Sequence, residues 1–250
     1  MTKATEKPLE IDNLPSNEDR LSILRCRKNL KSVTFWLSST IAFAMLLHVN
    51  PFVIVPLLIS SSAATGIAKC ARVEAMLTEL EKEFKDTDMQ VFSLLGMVEP
   101  GAPKREYEQV DLHLRFRDPK RTQIFITVRS MGKNSVVYSE GKESLLIKRK
   151  NRDRTVVTPC PLIGLNENRE WLTRNRKELG LSSRDVTKAA TAKVLVLWNE
   201  TKLAKHRDEL YSEIGNGRYL TLFKRGVKTF VVEQERLATF VRDWLTHLSN

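Results

Sequence analysis

Residues 123–132 read QIFITVRSMG. The apolar run Ile124, Phe125, Ile126 and Val128 is that of a β-strand buried on both faces, and it leaves two positions to polar side chains, Thr127 and Arg129. Successive side chains on a strand alternate faces, so Thr127 and Arg129 point the same way and mark one spot on a sheet.

The neighbouring segments supply the rest of that sheet. EYEQVDLHLRF (106–116) alternates, with Val110, Leu112, Leu114 and Phe116 on one face and Asp111, His113 and Arg115 on the other. RDPKR turns the chain into the strand at 122–130, and QVFSLLGMV (90–98) is a further predicted strand. SVVYSE and SLLIKRK predict two short strands joined through Gly141. AKVLVLW (192–198) has the continuous apolar character of a strand covered on both sides, and RYLTLFK (218–224) predicts another. Helices are predicted at 72–84, where Val73, Met76, Leu77, Leu80 and Phe84 fall at helical spacing, and at 165–180, closed by Gly180. A last helix covers 233–248, with Leu237, Phe240, Val241, Trp244, Leu245 and Leu248 as its core stripe. The expected fold class is α/β, a mixed central sheet flanked by helices.

A different segment precedes this domain. Between Lys31 and Lys69 lie 37 residues without a formal charge. Asn50-Pro51 breaks the run, leaving two halves of ~26 Å each at ~1.5 Å per residue, enough to cross a bilayer core. The expectation is an N-terminal transmembrane helical hairpin over 32–69, with His48 at its far turn. Residues 1–31 form a mobile tail in this reading, and 70–250 the soluble domain. Arg25, Arg27, Lys28 and Lys31 before it, with Lys69 and Arg72 after it, place both ends and the domain on the cytoplasmic side. A buried soluble hairpin and, given Pro56, a shallow re-entrant insertion are the alternative readings. Ser39, Ser60, Ser61, Ser62 and Gly66 are small enough to pack a hairpin-mediated oligomer.

Composition bounds the chemistry. The net charge of +11 favours anionic partners: DNA, RNA or an anionic membrane. Three cysteines, Cys26, Cys70 and Cys160, are too few and too scattered for a disulfide framework or a zinc site. The chain has no G-x-S-x-G elbow, no H-E-x-x-H and no Walker loop.

The order of elements, with particular residues in place, resembles the nuclease-related domain (NERD) family, a branch of the restriction-endonuclease-like PD-(D/E)XK fold. The resemblance covers roughly residues 66 to 247. Gly66 and Glu74 are similar to the family's opening helix, and EQVDLHL to its second core strand, whose aspartate would be Asp111. IFITVRSMGKNSVVY resembles the next strand, which in the family carries glutamate and lysine and then runs into a glycine, here Gly132. PCPLIGLNENREWL resembles the family's Pro-Leu helix entry, with Gly164 where the family has glutamine.

The resemblance implies a site at Asp111, Glu74, Thr127 and Arg129, with Asp111 as a metal ligand and Mg²⁺ as cofactor if the site is catalytic. In such a site paired carboxylates hold a hard cation while the lysine helps orient or activate water. Threonine brings no charge to a cation, and arginine stays protonated and cannot serve as a base. Arg129 is instead suited to pair with Asp111 in the place of a metal. A carboxylate from elsewhere could restore the site, with Glu74, Glu106 and Glu108 as candidates. Read without the resemblance, Asp111 is a polar residue on a solvated strand face and Glu74 a surface carboxylate.

Three functions follow as expectations. The first is a membrane-anchored domain that binds nucleic acid with lost or weak catalysis, through Lys148, Arg149, Lys150, Arg152 and Arg154, then Arg174, Arg176 and Lys177. The second is an active metal-dependent nuclease with a rearranged site. The third is a membrane-associated scaffold with its basic face on headgroups or a protein.

Overall fold

Two long helices lead the chain, and the second runs without interruption into the domain that follows. The computed structural model describes residues 17–47, 54–93, 110–119, 121–148, 154–158, 160–166, 173, 176 and 181–250. Helix α1 (Asn17–Leu47) is followed by α2 (Ile54–Glu83). Strands β1 (Gln90–Ser93), β2 (Leu112–Arg115) and β3 (Gln123–Ser130) come next, then β4 (Ser135–Ser139), β5 (Ser144–Lys148) and β6 (Thr155–Val156). Short helices α3 (Pro161–Asn166) and α4 (Ser183–Lys188) lead to β7 (Thr191–Trp198) and β8 (Lys202–Leu203). Strands β9 (Tyr211–Ile214), β10 (Gly217–Lys224) and β11 (Val227–Glu233) precede the closing helix α5 (Leu237–Ser249).

The main sheet has seven strands in the order β1-β2-β3-β7-β11-β10-β9. Strand β7 runs parallel to both β3 and β11, and the other pairs are antiparallel, so the sheet is mixed. A smaller sheet follows the order β6-β5-β4-β8. Alternation along β3 assigns the layers. Ile124, Ile126 and Val128 pack with Val73, Met76, Leu77 and Leu80 of α2 and with Phe240 and Val241 of α5. Phe125, on the opposite face, packs with Val136 and Leu145 of the small sheet and Leu162 and Leu165 of α3. Helices therefore cover one face of the main sheet, and the small sheet with α3 covers the other.

The predicted strands at 122–130, 192–198 and 218–224 and the C-terminal helix stand where periodicity put them. The β1 strand is described over 90–93 and β2 over 112–115; the remainder of those two predicted strands, with Glu106 and Glu108, lies outside the described residues. So does most of the helix expected at 165–180. Strand β11 was not anticipated. It follows β10 through a two-residue turn in which Arg225 and Gly226 have φ of 50° and 75°. Lys224 pairs with Val227 to close it, the geometry favoured by hairpins of matching twist.

The hairpin differs from expectation in extent. Residues 17–31, expected as a mobile tail, belong to α1, and residue 69, expected as a boundary, lies inside α2. The two helices are antiparallel, as their cross-contacts show. Ser38 and Ser60 hydroxyls meet at 2.7 Å, while Arg25 Nε reaches Glu74 Oε1 at 3.0 Å. Their outward faces are apolar and exposed, including Val33, Trp36, Leu37 and Phe43 on α1 and Val55, Leu57 and Leu58 on α2. Among the described residues, no helix is long and apolar enough to cross a membrane. The described charge-free part of α1, residues 32–47, extends ~24 Å against the ~30 Å of a hydrocarbon core. That of α2, residues 54–68, is interrupted by Ser60, Ser61, Ser62 and Thr65. The turn with His48 lies outside the described residues.

Candidate functional site

Asp111 stands just before β2, where the meander opens. Its backbone N–H donates to Ile126 O at 2.8 Å, and its side chain turns back onto β3, where Oδ2 accepts the Val128 N–H at 2.7 Å. The carboxylate thus takes a backbone donor of β3 as a ladder carbonyl would. Asp111 is 1% exposed, so it is no solvated strand residue. A buried carboxylate is retained at modest cost only when paired and hydrogen-bonded.

Its partners are cations. Lys69 Nζ lies 2.7 Å from Oδ1, and Arg129 Nη1 lies 3.5 Å from Oδ2. Arg129 also donates to Val128 O at 3.0 Å, which holds the guanidinium against the strand that carries it. Burial pushes the Lys69 pKa down from its ordinary value; Asp111 pulls it up, and Arg129 and Lys31 push it down again. The Arg129 pKa is lowered by burial, against the opposing pull of Asp111. The expected Arg129–Asp111 pair is present, and Lys69 joins it from α2.

Thr127 is buried on β3, with Leu195 of the parallel strand β7 as its neighbour in register. It brings no charge to the site. Glu74 does not join Asp111: its carboxylate binds Arg25 at 3.0 Å and Lys28 at 3.4 Å, both on α1. The Arg25 contact, followed by weaker effects of Lys28, holds the Glu74 pKa below the usual carboxylate range against the cost of burial. Of the four residues expected at the site, Asp111 and Arg129 are in contact, Thr127 lies on the same strand as Arg129, and Glu74 fastens the hairpin instead.

A Mg²⁺ ion does not fit this arrangement. Both Asp111 oxygens are occupied by N–H donors, two of them cationic, whereas a hard cation needs several oxygen ligands. Among the described residues, no group of three or more His, Cys, Asp or Glu side chains could hold a metal.

Lys69 was not among the expected site residues. In the sequence it stands as a flank of the charge-free segment. One signal pointed elsewhere: Lys69 and Val73 are four residues apart, so Lys69 continues the sheet-facing stripe of Val73, Met76, Leu77 and Leu80. A lysine on an apolar helix face needs a buried anion within reach, and Asp111 supplies it.

The expected nucleic-acid contacts are described in part. Lys148, at the end of β5, and Arg154, before β6, are exposed. Arg176 is half-buried, and its guanidinium donates to the Ser183 hydroxyl. Arg149, Lys150, Arg152, Arg174 and Lys177 lie outside the described residues. Compared with known proteins, the chain matches no family model, no curated protein and no solved structure.

Proposed function

We propose that this chain is a membrane-associated, nuclease-related protein whose soluble domain binds nucleic acid without cutting it. The observation that carries the silent site is the neutralisation of Asp111 by Lys69 and Arg129. A lone carboxylate held by two cations has no affinity left for a metal, and neither cation can take a proton from water while it remains charged.

The relation to restriction-endonuclease-like domains is supported by the element order. Helix α2 precedes the antiparallel meander β1–β2–β3, and the chain then passes through α3 to β7, parallel to β3. Membrane association is supported by the apolar outer face of the hairpin, with Trp36 67% and Leu58 65% exposed. Contiguous exposed apolar surface of this kind marks an interaction site. The flanking cations favour a cytoplasmic domain. Nucleic-acid binding is supported by the net charge of +11 and by the exposed Lys148 and Arg154 bordering the basic segment between β5 and β6.

The test uses the full chain in detergent with plasmid DNA and RNA. No cleavage is expected with Mg²⁺ or Mn²⁺, and binding is expected to weaken steeply with salt. Each lost phosphate contact lowers the log–log salt slope by ~0.9 on duplex DNA, so Lys148→Gln with Arg154→Gln should lower it by about 2. Metal-dependent cleavage abolished by Asp111→Ala would establish an active nuclease and refute the silent site. Absence of salt-sensitive binding would remove nucleic acid as the partner.

A further inference from the structure

Where the apolar part of the hairpin meets the domain, five cations face two carboxylates. Arg25 and Lys28 share Glu74, and Lys69 and Arg129 share Asp111. Lys31 has no carboxylate partner among the described residues; its Nζ lies 3.9 Å from Cys70 Sγ, a weak acceptor. Its side chain lies across α2 at Gly66, in space that a side chain there would share: a Cβ on Gly66 would come within 2.8 Å of Lys31 Nζ and 2.9 Å of its Cδ. Lys31 also repels Lys69, as the weakest of the influences on that lysine.

Among the described residues, the carboxylates of that arrangement are outnumbered by its cations. It also has a defined height: Lys31 lies next to Leu30 and Val33, which are 68% and 63% exposed and begin the apolar face of α1. A bilayer covering this face would set its headgroups at Lys31.

We propose that Lys31, seated on Gly66 beside Lys69, binds the phosphate of an anionic phospholipid headgroup. The inference rests on the membrane reading above and adds to it a lipid class and a site. The ammonium of Lys31 carries three donors for phosphate oxygens, and the phosphate charge relieves its repulsion with Lys69.

Flotation of the full chain with vesicles tests it, using phosphatidylcholine alone and phosphatidylcholine mixed with phosphatidylglycerol. The wild type should partition preferentially into the mixed vesicles. Lys31→Gln should weaken that partitioning about fivefold, the equivalent of ~1 kcal/mol for one basic side chain at an anionic surface. Lys31→Arg should retain it. Lys205→Gln removes the same charge from an exposed position outside the hairpin and should change it less than about twofold. Melting temperatures of the variants establish that each is folded. Equal losses in Lys31→Gln and Lys205→Gln, or no preference for the anionic vesicles, would overturn the headgroup site while leaving membrane association standing. Failure to float with either vesicle would overturn the membrane reading itself.

Discussion

Lys69 on α2 and Asp111 at the start of β2 are joined by an ion pair of 2.7 Å that ties the helical hairpin to the polar centre of the sheet. The lysine side chain is 24% exposed and the aspartate 1%. Removing one member of such a pair leaves the other charge buried with too few partners. Lys69→Met should therefore cost ~2–3 kcal/mol, below the full cost of breaking a buried pair because Val128 N–H and Arg129 remain on Asp111. Adding Asp111→Asn to Lys69→Met should cost less than the sum of the single changes. Denaturant unfolding of the three variants measures this, and strict additivity would show that the two side chains do not interact. A fragment beginning at residue 70 would carry the same deficit, so the domain cannot be cut at that point without loss.

Tyr219 and Asp243 make a second buried polar tie, between β10 and α5. The phenol donates to Asp243 Oδ2 at 2.5 Å, and the two residues are 2% and 6% exposed. Burial, and then the Asp243 carboxylate, push the Tyr219 pKa far up, so the phenol stays protonated as the donor. Tyr219→Phe keeps the ring and deletes the donor, leaving a charged acceptor buried, and should destabilise by ~2–3 kcal/mol. Gly215→Ala should also be damaging. Its φ is 56°, and an added Cβ would lie 2.6 Å from the Asp243 carbonyl oxygen, a backbone atom that cannot swing aside. Unfolding midpoints matching the wild type in both variants would refute this account of the β10–α5 joint.

His206 gives the fold a pH dependence. Its Nε2 accepts the Tyr138 N–H at 2.9 Å, which requires the neutral ring. Burial lowers its pKa below the ordinary value, and the Ala204 carbonyl and Glu140 oppose the shift more weakly. The folded protein thus binds this proton less readily than the unfolded chain does. The stabilisation is fully present above the unfolded pKa and is lost as pH falls through the lower folded value. Melting temperature should therefore drop from about pH 7 to about pH 5, and His206→Gln should flatten that part of the curve. An unchanged slope in the variant would assign the acid sensitivity to other groups.

The elements of the sheet were legible wherever one chemical period ran unbroken. Ile124, Ile126 and Val128 alternate with Phe125 along β3, and Phe240, Val241 and Trp244 recur along α5, so local composition sufficed for both. Strand β11 escaped because it is parted from β10 only by Arg225-Gly226. The positive φ that makes those two residues a hairpin turn is a backbone property that arginine does not advertise. The hairpin was legible as two helical halves around Asn50-Pro51, but its length was not, since α1 and α2 both extend beyond the charge-free run through Arg25, Lys28 and Glu74.

By itself, then, the sequence determined the mixed α/β class, the shared face of Thr127 and Arg129 on β3, and the absence of a second carboxylate from that face. These follow from alternation and residue identity, which are local. Only the tertiary structure decided what meets Asp111. Lys69 is 42 positions before it in the chain, and Glu74, five positions further along α2 and so on another face of the helix, points to α1 instead. The cause is helical phase combined with packing. The α2 stripe that fills the sheet-facing core places Lys69 over the start of β2, and a buried carboxylate there draws in the cation that burial alone would have expelled.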